Sequence, residues 1–303
     1  MMVRLIDGVK ILLLAASLAA CGGDAARAAT ADGVRATDAN GRVVTLDRPA
    51  ARVISLVPSA TDLLVAAGGR ERLVARTDND HAPELAPLPS VGGMEPSVEK
   101  IVALRPDLVV ILDMTSSRGL IDGLEAQGIR TFSLGTRDTT QTFAGLHALG
   151  RLTGVERGAD SLAGRMRGEL AAVAARAPAD TPTVFLVVNV DPPMTAGPET
   201  FMAQMVSVAG GRTAFPDLRE DWAMISLEEV LRRQPDWLLT STGQGGTRER
   251  RLAQLRAAPG WRELRAVREG RVIALPSDLL ARPGPRLAEA ARLIQAELHP
   301  QAP

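Results

Sequence analysis

A segment that recurs at fixed spacing constrains this chain most. Residues 97–112 read SVEKIVALRPDLVVIL and residues 226–241 read SLEEVLRRQPDWLLTS. The pairs Glu99/Glu228, Ile101/Val230, Pro106/Pro235 and Asp107/Asp236 all stand 129 positions apart, with no gap between them. Each copy has a Ser, a Glu two residues on, an apolar residue, then Pro-Asp and an apolar run suited to a buried strand. Agreement of that length at one spacing predicts two similar halves. With 303 residues, 46% of them hydrophobic, the chain can fill two modest cores.

Short aliphatic runs mark buried strands in both halves. In the first they are RVISLV from Arg52, RLVART from Arg72, LVVIL from Leu108 and RTFSLG from Arg130; in the second, TVFLVVN from Thr183, WLLTST from Trp237 and RVIALP from Arg271. Helical patterns separate them, such as SATDLLVAAGG with Ser59 or Thr61 as N-cap and Gly68-Gly69 as stop. Strands alternating with helices predict parallel sheets covered on both faces. The expected fold class is therefore α/β, with two Rossmann-like lobes built on small parallel sheets.

Residues 140–178 carry no strand signal, and Phe143, Leu146, Leu149 and Leu152, then Leu162, Met166, Leu170 and Val173, recur at helical spacing. This predicts a long inter-lobe helix, which Gly154 and Gly158 could divide into two ordinary helices. The expected division is 1–20 as leader, 21–50 as tether, 51–139 as first lobe, 140–178 as inter-lobe helix and 179–303 as second lobe.

Arg4 and Lys10 flank an apolar run from Ile11 to Ala20, roughly half of the ~20 residues a bilayer-spanning helix needs. The run reads as a secretory signal. Leu18-Ala19-Ala20-Cys21 resembles the lipobox of bacterial lipoproteins, which would make Cys21 an acylated first residue on the periplasmic or cell-surface side. The plainer alternative is a Cys discarded with the leader. Cys21 is the only cysteine, which excludes an internal disulfide and a multi-Cys metal site. Lys+Arg and Asp+Glu both number 35, and no basic stripe points to nucleic acid.

Loops after strands are where open α/β sheets bind ligands. In LVPSATD, Pro58 and Ser59 place backbone amides and a hydroxyl at a helix start, suited to an anionic or carbonyl group or simply to capping. NVDPPMTAGPETF reads as a rigid loop from which Met194 projects. Trp222 lies in an otherwise charged stretch, where an exposed indole wants a partner. Asp278 and Arg282, four apart, offer an acceptor and a fixed cation to a ligand, or form a local ion pair. The three histidines are scattered, and no G-x-S-x-G, GxGxxG or P-loop appears. No catalytic residue, metal site or resident cofactor is expected. An enzyme would instead gather carboxylates such as Asp78, Asp80 and Asp113 in one pocket.

The order RVISLVPSATDLLVAAGG, VGGMEPSVEKIVALRPDLVVIL, VDPPMTAGPETFMAQMVSVAGG and SLEEVLRRQPD resembles the cobalamin-binding receptors of ABC importers, within a superfamily that also receives siderophores and haem. The resemblance runs from about Arg52 to Leu298. It implies a monomeric bilobal receptor with little lobe closure, one that captures cobalamin or a related corrinoid and hands it to a permease dimer. Glu99 and Glu228 match the family's docking glutamates, one per lobe, although helix-start capping would also favour a carboxylate there. Trp222, Asp278 and Arg282 match ligand positions. Met194 stands where the family has an aromatic residue, Asp78 where it has a tyrosine, and Leu112 and Gly93 replace tryptophans. A ferric siderophore receptor would need several arginines facing the cleft, from among Arg76, Arg118 and Arg282. A haem receptor's usual axial Tyr is missing, because the chain has no Tyr.

Overall fold

The structure, a computed structural model, describes residues 33–114, 117–243 and 246–300. The leader, Cys21 and residues 21–32 of the expected tether lie outside the described residues.

The first lobe opens with an antiparallel hairpin, β1 (Val34–Thr37) and β2 (Val43–Leu46). There follow β3 (Val53–Ser55), α1 (Pro58–Ala66), β4 (Leu73–Ala75), α2 (Val98–Ala103), β5 (Leu108–Leu112), α3 (Arg118–Glu125) and β6 (Arg130–Leu134). Two helices, α4 (Thr139–Thr153) and α5 (Glu156–Ala174), lead to the second lobe. That lobe begins with β7 (Thr183–Val187), β8 (Asn189–Val190), β9 (Pro193–Ala196), α6 (Phe201–Val208), β10 (Arg212–Thr213) and β11 (Trp222–Met224). It ends with α7 (Leu227–Arg233), β12 (Trp237–Ser241), α8 (Arg248–Ala257), α9 (Arg265–Arg268), β13 (Val272–Leu275), α10 (Ser277–Leu280) and α11 (Leu287–Leu298). Two four-stranded parallel sheets result, β4-β3-β5-β6 and β10-β7-β12-β13, with the same strand order.

The repeated segment is a unit of structure. Ser97 and Ser226 each cap a helix, their hydroxyls accepting from the amides of Lys100 and Glu229. Ile101 and Val230 are fully buried beneath those helices. Arg105 and Gln234, at φ 45 and 42, turn the chain after them. Asp107 then accepts from the amides of Ala51 and Arg52, and Asp236 from the amide and hydroxyl of Thr183. Each Asp thus pins its own strand, β5 or β12, to the start of the neighbouring one.

Four expectations are corrected. The tether assigned to 21–50 does not extend through its second half, which forms the β1–β2 hairpin. Asp38 accepts from the amides of Asn40 and Arg42 across a turn with Gly41 at φ 76, and Ala36, Val44 and Leu46 are buried. The segment 140–178 is two helices, because Gly154 takes φ 73 and ends α4; α5, with 19 residues, is the inter-lobe helix. Gly158 does not interrupt α5. A Cβ there would lie 1.9 Å from the carbonyl oxygen of Ala67, so glycine lets α5 approach the end of α1. Neither Ser59 nor Thr61 caps α1: its N-cap is Val57, without a side-chain bond, and Pro58 occupies the first turn. Residues 189–196 form paired strands rather than a loop, because β9 hydrogen-bonds to both β8 and β11.

The largest apolar cluster joins the lobes. It contains Leu63 from α1, Leu146 from α4, Leu162 and Met166 from α5, Phe201 and Met205 from α6, and Ile294 from α11. A shared core of this kind resists a hinge between lobes, since opening would expose apolar surface at roughly 25 cal/mol per Å². No helix among the described residues is long and apolar enough to cross a membrane.

Candidate functional site

Between the lobes lies a cavity of about 490 Å³. The first lobe contributes Asp62 from α1 and His81 and Glu84 from the loop after β4; the second contributes Asp278, Arg282 and Arg286. Arg282 spans the junction. It donates to the carbonyl of Asn79 at 2.8 Å and stands 3.8 Å from the Asp62 carboxylate, both in the first lobe. Asp278 and Arg282 do not pair with each other. Asp278 faces Arg286 at 3.5 Å, and Arg286 also holds Glu289 at 2.7 Å. The reason is local: α10 ends at Leu280, so the i,i+4 geometry that would join residues 278 and 282 is absent. Burial pushes the Asp62 carboxyl up to about 6, with Asp80 and Asp278 adding repulsion and Arg282 and Arg286 opposing it.

The three-stranded sheet places Trp222 and Met194 together. Met194 lies opposite Met224 and Ala196 opposite Trp222 in the β9–β11 register, so Met194, Trp222 and Met224 share one sheet face. Thr195 and Ala223, on the other face, are buried. Trp222 keeps 44% of its surface exposed and Met224 keeps 74%. On that face Trp222, Met224 and Met194 leave apolar surface uncovered beside the polar Asn189, which pairs with Met194.

The other sequence candidates are dispersed. Ser59 is buried and Pro58 half-buried in the first turn of α1. A Cβ at Gly284 would come within 3.9 Å of the Ser59 carbonyl oxygen and of Asp62, so the second lobe packs on this turn. Asp78 is exposed, accepts from the Ser90 hydroxyl at 2.6 Å and lies beside Gly93. Leu112, at the end of β5, packs against the first-lobe core. Asp80 is buried and takes both bonds from Thr77 on Oδ2, while Asp113 is exposed. Asp78, Asp80 and Asp113 do not line the cavity. Among the described residues no group of three or more His, Cys, Asp or Glu could hold a metal ion.

Glu99 and Glu228 are exposed in the first turns of α2 and α7. Among the described residues neither forms a salt bridge. Sequence reasoning missed Asp62, His81, Arg286 and Met224. Asp62, four residues after Pro58 on a helix whose start was already of interest, carried the clearest signal.

The periplasmic binding protein family matches residues 53–279. An ABC transporter substrate-binding lipoprotein of Bacillus subtilis (strain 168) is 29% identical over 306 residues, covering 96% of this chain and 95% of that protein. A vitamin B12-binding protein of Photorhabdus laumondii is 30% identical over 251 residues, covering 82% and 88%. Among solved structures, the periplasmic vitamin B12-binding protein BtuF of Vibrio cholerae superposes with a TM-score of 0.69 at 28% identity, covering 82% and 97%. The periplasmic heme-binding protein BhuT, in complex with two hemes, gives 0.69 at 27%, covering 82% and 98%.

Proposed function

Because the chain belongs to the periplasmic binding protein family, whose members here are substrate-binding proteins of ABC importers, we propose that it captures cobalamin or a related corrinoid and delivers it to a permease dimer. It would be anchored by lipid at Cys21. The observation that carries the ligand reading is the half-exposed face of Trp222 and Met194, in a chain 30% identical to a vitamin B12-binding protein. A corrinoid is a broad apolar ring edged with amides. It needs flat apolar contact, for which Trp222 and Met194 share one sheet face, and a few fixed polar groups. Asp278 and Arg282, both on the cavity wall, supply those.

The sparse aromatic content, 3% of residues, favours weaker binding than a full aromatic wall gives, since each missing ring forfeits roughly 0.5–1.5 kcal/mol beyond area burial. Titration calorimetry and tryptophan fluorescence with cobalamin and cobinamide test the reading. Nanomolar to micromolar binding with quenching is expected, and Trp222→Ala should weaken it at least tenfold. No heat and no quenching at high micromolar corrinoid would sink it. A haem reading has one observation of its own: His81 sits on the cavity wall, where an imidazole could reach an iron. Hemin in the same titration, followed at its Soret band, separates the two.

Delivery needs docking, and Glu99 and Glu228 are the proposed contacts. They stand at equivalent places on the two lobes, as a two-fold permease requires of a pseudo-symmetric ligand carrier. The anchor is testable separately: intact mass of membrane-extracted protein should show a lipidated chain that begins at Cys21.

A further inference from the structure

The charges on the inter-lobe cavity wall do not balance. Asp62, Glu84 and Asp278 line it together with Arg282 and Arg286. Both arginines are already engaged. Arg286 grips Glu289, which stands outside the wall, through Nε at 2.7 Å and Nη2 at 2.9 Å, and its Nη1 faces Asp278 at 3.5 Å. Arg282 gives Nη2 to the Asn79 carbonyl at 2.8 Å and faces Asp62 at 3.8 Å. Four carboxylates therefore meet two guanidinium groups, and a protonated His81 on the same wall would leave them still in excess. Arg70 does not line the cavity, and it donates to the Glu84 carbonyl, at 2.9 and 2.7 Å, rather than to the carboxylate.

The surplus oxygens have a chemical preference. Among the described residues the Asp62 and Glu84 carboxylates accept no hydrogen bond. An ionised carboxylate is an acceptor only, so it calls for N–H or O–H donors and repels another acid. Burial has already pushed the Asp62 carboxyl up to about 6, with Asp80 and Asp278 adding repulsion. A carboxylate brought in by a ligand meets the same penalty.

We propose that this wall selects its ligand by charge: it takes corrinoids whose edge is amidated and rejects those whose edge carries free carboxylates, with Asp62, Glu84 and Asp278 as the selecting residues. The proposal rests on the corrinoid reading and deepens it by naming the class of corrinoid. Primary amides bring donors to the open oxygens and add no charge. Carboxylates bring like charge to a wall whose cations are already matched, and such a repulsive element is what separates ligands of nearly the same shape. The same wall disfavours the propionates of haem.

Titration calorimetry on the full-length chain at pH 8, above the Asp62 value, tests this with two ligands built on one ring. Cobinamide has amides on its edge; cobyrinic acid a,c-diamide has carboxylates at five of those positions. Wild type should bind cobinamide at least tenfold more tightly. In Asp62→Asn/Glu84→Gln/Asp278→Asn that preference should shrink to threefold or less, chiefly through tighter binding of the acid. Glu84→Gln alone, an exposed change that spares the core, should give part of the shift. Equal binding of both ligands by wild type would overturn the proposal and leave the corrinoid reading standing; binding of neither would sink both. A preference that survives the triple variant would overturn the assignment to these carboxylates.

Discussion

The two corners that carry the proposed docking glutamates share a backbone and differ in what supports it. In both, a Ser caps the helix, a left-handed residue ends it and an Asp pins the next strand. Around α7, however, Arg233 reaches Asp217 at 2.7 Å and Glu229 at 2.7 Å, lies 4.2 Å over the Phe215 ring and donates to the Ala214 carbonyl. Hydrogen bonds from Arg233 hold the Asp217 carboxyl down to about 2. Helix α2 has no counterpart to that lattice among the described salt bridges, and a Gly-rich loop rather than a strand precedes it. The position of the carboxylate is thus set by the shared cap and strand pin. The surrounding charges tune one corner only.

If position alone matters for docking, the corners are interchangeable. Glu99→Arg and Glu228→Arg should each impair uptake to a similar degree, and the double reversal should abolish it, with ligand affinity unchanged. Exposed pairs are usually weak, but carboxylates in a partly dried interface can be worth 2 kcal/mol or more. Uptake into proteoliposomes measures this. A strong effect at one corner alone would break the equivalence.

The strand pins sharpen the comparison further. Asp236 takes an amide at 2.9 Å, a hydroxyl at 2.6 Å and the Arg265 guanidinium at 2.7 Å, whereas Asp107 takes two amides, at 2.8 and 2.9 Å. Charged hydrogen bonds contribute about 1.5–3 kcal/mol. Asp236→Ala should therefore cost about 2–3 kcal/mol and Asp107→Ala about 1–2 kcal/mol in urea denaturation. Equal losses would mean that Arg265 adds nothing.

The repeat was legible because it encodes local interactions: a cap, a buried apolar residue and a strand start are written in adjacent letters. The strands of both parallel sheets were legible for the same reason, apart from β10, whose two residues are too short to show a pattern. The β1–β2 hairpin carried a turn signal in Asn40-Gly41, but small polar neighbours made it read as tether. The candidate site was harder. Trp222 and Met194 meet only through the β9–β11 register, and Arg282 finds partners some 200 residues away, at Asn79 and Asp62. No local pattern encodes such pairings.

The lobes also differ in what they bring to the cavity, with Asp62 from one facing Arg282 from the other. Burial raises the Asp62 carboxyl to about 6. Between its unfolded value near 4 and that raised value, the folded chain holds a proton that the unfolded chain releases, so this group makes stability fall as pH rises through the window. Asp62→Asn should flatten that slope and stabilise the protein by about 1 kcal/mol at pH 7, a figure discounted because a third of the side chain faces solvent. Melting at pH 4.5 and pH 7 checks it. A variant less stable than wild type at pH 7 would mean that attraction to Arg282 outweighs the burial cost.

The smallest expected effect lies where the repeated units look most alike. Arg105 and Gln234 both occupy the left-handed region, at φ 45 and 42, which favours glycine by about 1 kcal/mol. Substitution should nevertheless separate them. The Arg105 side chain makes no hydrogen bond among the described residues, and the backbone bonds of that residue, from Arg52 to its carbonyl and from its amide to the Val102 carbonyl, survive the change. The Gln234 side chain accepts from the Arg265 amide at 3.0 Å, a bond worth about 1 kcal/mol that glycine removes. Arg105→Gly should therefore stabilise the chain by about 0.5 kcal/mol, while Gln234→Gly should leave it nearly unchanged. Paired thermal melts resolve the difference. Equal gains would show that the Gln234 bond contributes nothing, and that the two helix ends are equivalent in energy as well as in shape.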